Sequence, residues 1–212
     1  IASLRASLPF VHFFDGFRTS HETCNIRVID EESLKQFVPW EAVQRHRDRA
    51  INPNHPNLRG TAQSPDIYMQ LVEAANPTYA SVPEIVDKVF EEMAPVFGRR
   101  YRLFEYYGAE DAEDVIVCMG SGANVVHETV NYLNARGSKV GVLKVRLFRP
   151  WSVKHFLEVL PKTVKRVAVL DRCKDPGAQG EPLFLDTCTS FSNRLSEIHP
   201  MVIGGRYGLG SK

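Results

Sequence analysis

Val115-Ile116-Val117-Cys118-Met119-Gly120-Ser121-Gly122 is the stretch that decides the fold of this chain. Five apolar residues in a row predict a strand that is buried on both faces. The two glycines mark a tight turn, and residues 124–136 follow with apolar positions at helical spacing, closed by Gly137. A buried strand that leads through a tight turn into an amphipathic helix is typical of a parallel α/β unit.

The same alternation continues toward the end of the chain. Further strands are predicted at 139–145, 164–170 and 201–203, separated by helices that begin at Ser152 and Glu181. Apolar strands that alternate with amphipathic helices predict an α/β fold: a mostly parallel sheet with helices on both faces.

Residues 1–98 have a less regular pattern. The apolar run Val11–Phe14 predicts a buried strand, Asp30 predicts the start of a short helix, and residues 41–50 predict a polar helix. Prolines and asparagines make residues 52–65 a loop.

The clearest helix in the chain lies at the end of this part. Ser81 and Glu84 have the spacing of a capping box, which predicts a helix that begins there. Apolar residues recur at helical intervals as far as Phe97, and Gly98 follows in the position of a C-cap. We place the domain boundary at Gly98.

The composition is that of an ordinary globular protein, with 43% hydrophobic residues and a formal charge of +1. This charge predicts neither nucleic acid nor a membrane surface as partner, and no apolar run approaches the roughly 18 residues that span a bilayer. The four cysteines are widely scattered without a Cys-x-x-Cys pair. They predict free, mostly buried thiols and neither a zinc site nor an iron–sulfur cluster.

Two loops in the α/β part are candidate ligand sites. The turn Gly120, Ser121 and Gly122 precedes a helix and could hold an anion through backbone N–H groups, although tight turns also use glycine for steric reasons. Residues 171–181 follow a predicted parallel strand, where open sheets bind ligands. There Arg172 and Lys174 could hold an acidic group, or the loop could dock on a neighbouring domain. Lys144, Arg146 and Arg149 suit ion pairing and ligand binding equally.

Two polar clusters lie in the first part. Residues 15–22 hold Arg18, Thr19 and Ser20, which could bind a carboxylate or brace a domain contact. A Ser-His-Glu triad is not supported, because consecutive residues of an extended chain point in different directions. The loop 52–65 offers further donors that could line a cleft or a subunit interface: Asn54, His55, Arg59, Thr61 and Gln63.

Several long peptides carry a resemblance to a known family. They are Phe13-Phe14-Asp15-Gly16-Phe17-Arg18-Thr19-Ser20-His21-Glu22, Asn52-Pro53-Asn54-His55-Pro56, Arg59-Gly60-Thr61-Ala62-Gln63, Leu143-Lys144-Val145-Arg146-Leu147-Phe148-Arg149-Pro150 and Gly204-Gly205-Arg206-Tyr207-Gly208-Leu209-Gly210-Ser211-Lys212. Together they resemble the pyruvate:ferredoxin (flavodoxin) oxidoreductase family, including the pyruvate:NADP oxidoreductases, over nearly the whole chain. One local departure is Gly122-Ala123-Asn124, where the family often has an acidic or threonine-bearing pair.

The resemblance implies that the chain is an interior piece of a longer enzyme. Residues 1–98 would be the C-terminal part of the pyrimidine-binding domain with a linker helix, and so the tail of a second α/β domain. Residues 99–212 would be the transketolase C-terminal-like domain. The parent would use thiamine diphosphate, Mg²⁺, 4Fe–4S clusters and CoA to oxidise pyruvate, and none of these would be bound wholly by this segment. We expect no catalytic residue and no metal ligand here, and a role in framing the cleft.

The resemblance also implies partners and location. We expect the remaining domains of the same polypeptide, a second copy in a homodimer, and ferredoxin, flavodoxin or a fused reductase as electron acceptor. The location would be the cytoplasm, or a hydrogenosome or mitochondrion in a eukaryote. The alternative function is a non-catalytic scaffold or interaction module in another multidomain reductase.

Overall fold

The computed structural model describes residues 1–58, 62–193 and 195–210, with only the backbone at Arg18. Its elements in chain order are α1 (Ala2–Ala6), α2 (Arg18–His21), α3 (Glu31–Lys35), α4 (Trp40–Asp48), α5 (Pro65–Glu73), α6 (Asn76–Phe97), β1 (Phe104–Gly108), β2 (Asp114–Cys118), α7 (Gly122–Asn134), β3 (Val140–Val145), α8 (Val153–Glu158), β4 (Arg166–Asp171), α9 (Pro182–Phe191) and β5 (Met201–Arg206).

The chain forms two compact units. The first contains Ile1–His12 and Asn25–Tyr101, and the second contains Phe13–Cys24 and Arg102–Lys212. The segment Phe13–Cys24 therefore belongs with residues that lie about a hundred positions later in the sequence. The local sequence pattern does not predict that this segment joins the second unit, because that depends on contacts between residues distant in the sequence.

In the first unit, α1 packs on α6 and on α4. Val82, Val86 and Val89 of α6 are buried. Arg5 of α1 is paired with Glu92 of α6, with 2.6 Å between the guanidinium and the carboxylate.

The helix predicted from the capping box begins earlier than predicted. α6 starts at Asn76 with a proline in its first turn, so Ser81 lies inside the helix. The Ser81 hydroxyl donates to the carbonyl of Thr78 at 2.8 Å instead of capping a helix end. The predicted C-cap is confirmed: Gly98 has a φ of 71°.

Other local predictions in the first 98 residues have mixed outcomes. The Asp30 cap is confirmed, since its carboxylate accepts a hydrogen bond from the Ser33 N–H. The predicted polar helix is α4, which begins at Trp40, a residue that is 63% exposed. The buried strand at Val11–Phe14 is wrong: these residues form no strand, and Val11 is 85% exposed. A short apolar run has the same appearance in a buried strand and in a segment without a covering layer.

The second unit is built on a five-stranded sheet in the order β1-β3-β2-β4-β5. β3, β2, β4 and β5 run parallel, and β1 pairs antiparallel with β3 at one edge. The central β2 is paired on both sides, and its Val115 and Val117 are buried, as its apolar sequence predicts. The predicted mostly parallel α/β sheet is confirmed; the edge strand β1 was not predicted.

Crossover handedness distributes the helices over both faces. The step from β2 to β3 runs toward β1, whereas the steps from β3 to β4 and from β4 to β5 run the other way. Right-handed crossovers then place α7 on one face and α8 and α9 on the other. In agreement, α7 packs on β1, β2 and β3, whereas α9 packs on β4, β5 and α8.

Aromatic rings fill the core beneath α8 and α9. The Phe156 ring lies 5.7 Å from that of Phe104 and 5.6 Å from that of Phe191, in edge-to-face geometry. The Trp151 ring lies 4.9 Å from Phe104, and its indole N–H donates to the Ser190 hydroxyl at 2.7 Å. Phe156 thus connects a strand, a loop and a helix in one cluster.

We expect Phe156→Ala to lower the free energy of unfolding of this unit by about 3–5 kcal/mol, because the fully buried ring would leave a cavity. Phe13→Ala is the matched control: that ring is 61% exposed, and its loss should cost less than about 1 kcal/mol. Urea unfolding followed by circular dichroism tests this, and equal effects of the two substitutions would contradict it.

Candidate functional site

The carboxyl ends of the parallel strands gather three loops at one edge of the sheet. β2 leads into the turn at Gly120, β4 into Arg172, and β5 into Tyr207. This is the edge where open α/β sheets bind ligands. The segment Phe13–Cys24 comes to the same edge and places Asp15 among them.

The Asp15 carboxylate is held by three donors. The Ser121 backbone N–H donates to Oδ1 at 2.8 Å, the Ser121 hydroxyl donates to Oδ2, and an Arg172 guanidinium nitrogen lies 2.6 Å from Oδ2. We call Asp15, Ser121 and Arg172 the Asp15 cluster. The anion at the turn is thus an internal carboxylate from a segment 106 residues away.

Glycine makes this approach possible. Gly120 has a φ of 74°, which side chains other than glycine rarely adopt, and a Cβ there would lie 3.0 Å from the Asp15 carboxylate. A Cβ at Gly122 would lie 2.5 Å from the Tyr207 hydroxyl. That hydroxyl donates to the Met119 carbonyl at 3.3 Å. The glycines therefore leave room for the carboxylate and for the ring.

The electrostatics favour an ionised Asp15. Burial raises the pKa of its carboxyl, but the Ser121 hydrogen bonds and the Arg172 charge outweigh burial and leave the pKa below its usual value. Its side chain is 13% exposed, and that of Arg172 is 32% exposed. The carboxylate is therefore a structural acceptor and is poorly suited to act as a general acid near neutral pH.

A groove of about 440 Å³ opens beside the Asp15 cluster. Its walls include Glu22, Ser121, Asn124, Arg172 and Tyr207. Burial is the largest cause that raises the pKa of the Tyr207 phenol, so the phenol is protonated and can donate. The groove is polar on the side of the cluster and apolar toward Val125, Val126 and Leu170.

The other basic residues at this edge also have partners. Arg146 is paired with Glu105, and Arg149 lies 2.5 Å from the Asp186 carboxylate. The Lys144 ammonium lies 3.0 Å from the His127 ring nitrogen Nδ1. Burial and then the Arg146 charge lower the pKa of Lys144.

Several charged residues of the loop 171–181 also have partners. Glu181 lies 3.4 Å from Lys174 and 3.0 Å from Arg206. Asp171 accepts the N–H groups of Leu183 and Phe184 at 3.1 Å each and so connects the end of β4 to the first turn of α9. Burial raises the pKa of Asp171 despite these bonds. The loop is therefore organised by its own ion pairs and by this cap.

The remaining predicted site residues are divided between the two units. Thr19 and Ser20 lie in α2 of the second unit, where the Ser20 hydroxyl accepts from the Phe17 N–H at 3.0 Å. Asn54 and His55 lie in the first unit, and both backbone N–H groups donate to Asn52 at 3.0 Å.

The loop residues of the first unit are only partly described. Gln63 is exposed and outside any helix or strand. Arg59, Thr61 and the side chain of Arg18 lie outside the part of the chain that the structure describes.

Two family models match the chain. The model described as pyruvate flavodoxin/ferredoxin oxidoreductase, thiamine diphosphate-binding, matches residues 1–91. The model described as pyruvate:ferredoxin oxidoreductase core domain II matches residues 112–210. The chain belongs to the pyruvate:ferredoxin (flavodoxin) oxidoreductase family. The resemblance inferred from the five peptides is thereby confirmed.

Curated relatives within this family are similar over the whole chain. It is 58% identical over 212 residues to a pyruvate:ferredoxin oxidoreductase of Moorella thermoacetica, and the alignment covers 100% of this chain and 18% of that protein. It is 54% identical over 211 residues to a pyruvate-flavodoxin oxidoreductase of Trichormus variabilis, and the alignment covers 99% of this chain and 18% of that protein. It is 53% identical over 212 residues to the mitochondrial pyruvate dehydrogenase [NADP(+)] of Euglena gracilis, covering 100% of this chain and 12% of that protein.

The chain therefore spans less than a fifth of the relatives' length. Among solved structures, a 2-oxoglutarate:ferredoxin oxidoreductase of Magnetococcus marinus aligns with 71% of this chain and 21% of that chain, at 22% identity and a TM-score of 0.44.

Sequence reasoning named Asp15, Ser121 and Arg172 separately but did not connect them. Asp15 lies in the first family peptide, and Tyr207 lies in the last. A tight glycine turn, a basic residue after a neighbouring strand and a distant aspartate were visible signals. Their meeting depends on the strand order, which the sequence pattern does not determine.

We expect Asp15→Asn to accelerate hydrogen exchange of the backbone amides of residues 17–24 about tenfold at pH 7, because a charge-assisted hydrogen bond contributes about 1.5–3 kcal/mol. The folded pKa of Asp15 is lowered. Its contribution is therefore complete above the unfolded value of about 3.9 and disappears as pH falls through the folded pKa. Variant and wild type should converge at that acidic end.

Asp175→Asn is the matched control for this substitution. It removes the same charge from the neighbouring loop, and its carboxylate is not among the groups that hold Asp15. It should leave exchange in 17–24 unchanged. An Asp15→Asn variant that exchanges like wild type at pH 7 would contradict the role of the Asp15 cluster.

The four cysteines should differ in thiol reactivity. All are free, but only Cys118 is buried, whereas Cys24 and Cys173 are exposed; the expectation of mostly buried thiols is wrong. Burial raises the pKa of Cys118 to about 11, and burial followed by the Asp171 charge raises that of Cys173. At pH 8 we expect an aromatic disulfide reagent to modify Cys24 first and Cys118 only on unfolding. Early modification of Cys118, detected by peptide mass spectrometry, would contradict this.

Proposed function

We propose that this chain is an architectural part of a thiamine diphosphate-dependent pyruvate oxidoreductase. The parent would convert pyruvate and CoA to acetyl-CoA and CO₂ and pass electrons to ferredoxin, flavodoxin or NADP⁺. The observation that carries the proposal is identity of 53–58% along the whole chain to enzymes whose names share pyruvate as substrate.

The same comparison supports a role for this chain that is independent of the electron acceptor. Relatives named for ferredoxin, flavodoxin and NADP⁺ are 58%, 54% and 53% identical to it, respectively. A segment that recognised the acceptor would be expected to diverge between such relatives. We therefore assign acceptor recognition to other parts of the polypeptide.

We further propose that residues 1–98 form the C-terminal part of the pyrimidine-binding domain with its linker helix, and residues 99–212 the transketolase C-terminal-like domain. The gap between the two family matches, from residue 91 to residue 112, supports a boundary in this region. The Asp15 cluster would then fix the peptide Phe13–Glu22 to the second domain, so that this peptide serves as a cleft wall of defined position.

We propose that this chain binds neither thiamine diphosphate nor its Mg²⁺ on its own. Within the described ranges, no three His, Cys, Asp or Glu side chains converge as metal ligands. We assign the diphosphate, the Mg²⁺ and the 4Fe–4S clusters to the rest of the polypeptide. Arg18, Thr19, Ser20, Asn54, His55, Arg59, Thr61 and Gln63 are proposed as residues near substrate, cofactor or interface.

We propose no catalytic residue in this chain. Asp15, the best placed carboxylate at the sheet edge, is committed to Ser121 and Arg172. We also propose a homodimer, and a cytoplasmic or organellar location. One relative is described as mitochondrial.

No helix in the described ranges combines the length and hydropathy that a bilayer crossing requires.

The test uses the intact protein that carries this chain, under anaerobic conditions and supplied with thiamine diphosphate. We expect reduction of methyl viologen that depends on both pyruvate and CoA, because the acetyl group needs an acceptor before the enzyme can turn over. The rate is followed by viologen absorbance.

Omission of each substrate provides the controls, and 2-oxoglutarate in place of pyruvate tests specificity. Reduction with 2-oxoglutarate but not with pyruvate would assign another substrate. No reduction by a protein with confirmed cofactors would overturn the proposed activity.

A further inference from the structure

An apolar groove lies beside α7, on the face of the sheet opposite to α8 and α9. It has a volume of about 310 Å³, and it is far more apolar than polar. One wall is formed by α7 through Val125, Val126, Thr129 and Leu133. The floor is formed by β2, β4 and β5.

The strand register shows which part of the groove floor has no helix packed over it. Val142, Ile116, Ala168 and Ile203 are successive register partners across β3, β2, β4 and β5, so they form one row on one face. Val142 and Ile116 pack under α7. At the far end of the row Ile203 is 57% exposed, and Met201 on the same strand is 61% exposed. The helix layer thus covers one half of this face.

The size of the uncovered half matches one helix. Neighbouring strands are about 4.8 Å apart and a helix with its side chains is about 10 Å wide, so β4 and β5 together offer the width of one helix. A helix there would lie beside α7 at the usual spacing of about 8–10 Å. Parallel sheets bury both faces under helices, because their strands are apolar on both sides.

The relatives show how much polypeptide is available to cover this groove. The 212 residues of this chain align with 18% of the ferredoxin-linked and flavodoxin-linked relatives. A segment of the same polypeptide is present at a high effective concentration, so that it would bind ahead of a separate molecule.

We propose that the groove is the docking site of an amphipathic helix supplied by the same polypeptide from outside residues 1–212. The inference rests on one premise of the proposed function, that the chain is part of a longer protein, and is independent of the reaction it catalyses. The docked helix would place apolar residues at i, i+3, i+4 and i+7 against Val125, Ile203 and their neighbours.

The first experiment places the photoreactive residue p-benzoylphenylalanine at position 203 of the intact protein. We expect irradiation to cross-link position 203, within a single polypeptide, to a peptide outside residues 1–212 with helical apolar periodicity. The same residue at position 162 is the control, since Lys162 is 84% exposed and does not line the groove. Mass spectrometry identifies the linked peptide.

The other outcomes would overturn the proposal. A cross-link between two polypeptides would assign the groove to a second copy, and a link to a non-helical or chain-internal peptide would exclude the docked helix. Cross-linking no stronger than at position 162 would show an open groove. Because methyl viologen reduction does not report on this contact, failure here is distinguishable from failure of the proposed activity.

A second measurement avoids a bulky substituent. In the intact protein, Ile203→Cys should react with a maleimide about tenfold more slowly than Lys162→Cys if a helix covers the groove. Slowing of less than about threefold, as the exposure of the two positions in this chain alone suggests, would overturn the docked helix. In the 212-residue chain alone, both thiols should react at similar rates.

Discussion

The pairing of β2 on both sides is the constraint from which most of the second unit follows. A strand with β3 on one side and β4 on the other lies in the middle of the sheet, where α7 packs on it, so its central residues are apolar. Parallel pairing then requires a crossover after each strand, and the opposite directions of these crossovers send helices to both faces. It also brings the strand ends to one edge, where the turn after β2 meets Arg172 and Tyr207.

Local features of this architecture were predictable, and the contacts between distant segments were not. The strand Val115–Met119 and the helix after Gly122 follow from an apolar run and helical periodicity, and Gly98 follows from C-cap chemistry. The Asp15 cluster joins residues 106 and 157 positions apart, and no local pattern reports such a contact. The strand predicted at Val11–Phe14 failed for a related reason, because an apolar run indicates burial without specifying the covering surface.

Prediction of the candidate site from the sequence has the same limit as prediction of the fold. Residue type marked the turn at Ser121 and the basic Arg172 as possible anion-binding groups, but the strand order determines that they bind the Asp15 carboxylate of the same chain. A carboxylate satisfied by Ser121 and Arg172 stabilises the arrangement of three loops and leaves little capacity for a ligand. The family membership agrees with such a role, since the chain is similar along its length to relatives named for three different electron acceptors.

Each unit contains one tryptophan, so tryptophan fluorescence can report on the folding of each unit. Trp40 begins α4 with its ring 63% exposed, whereas Trp151 lies among aromatic rings with its indole N–H bonded to Ser190. A solvated indole emits at longer wavelength than one in an apolar environment. The emission spectrum of the chain is therefore a sum of a red component from the first unit and a blue component from the second. The change in emission wavelength during unfolding therefore shows which of the two units unfolds first.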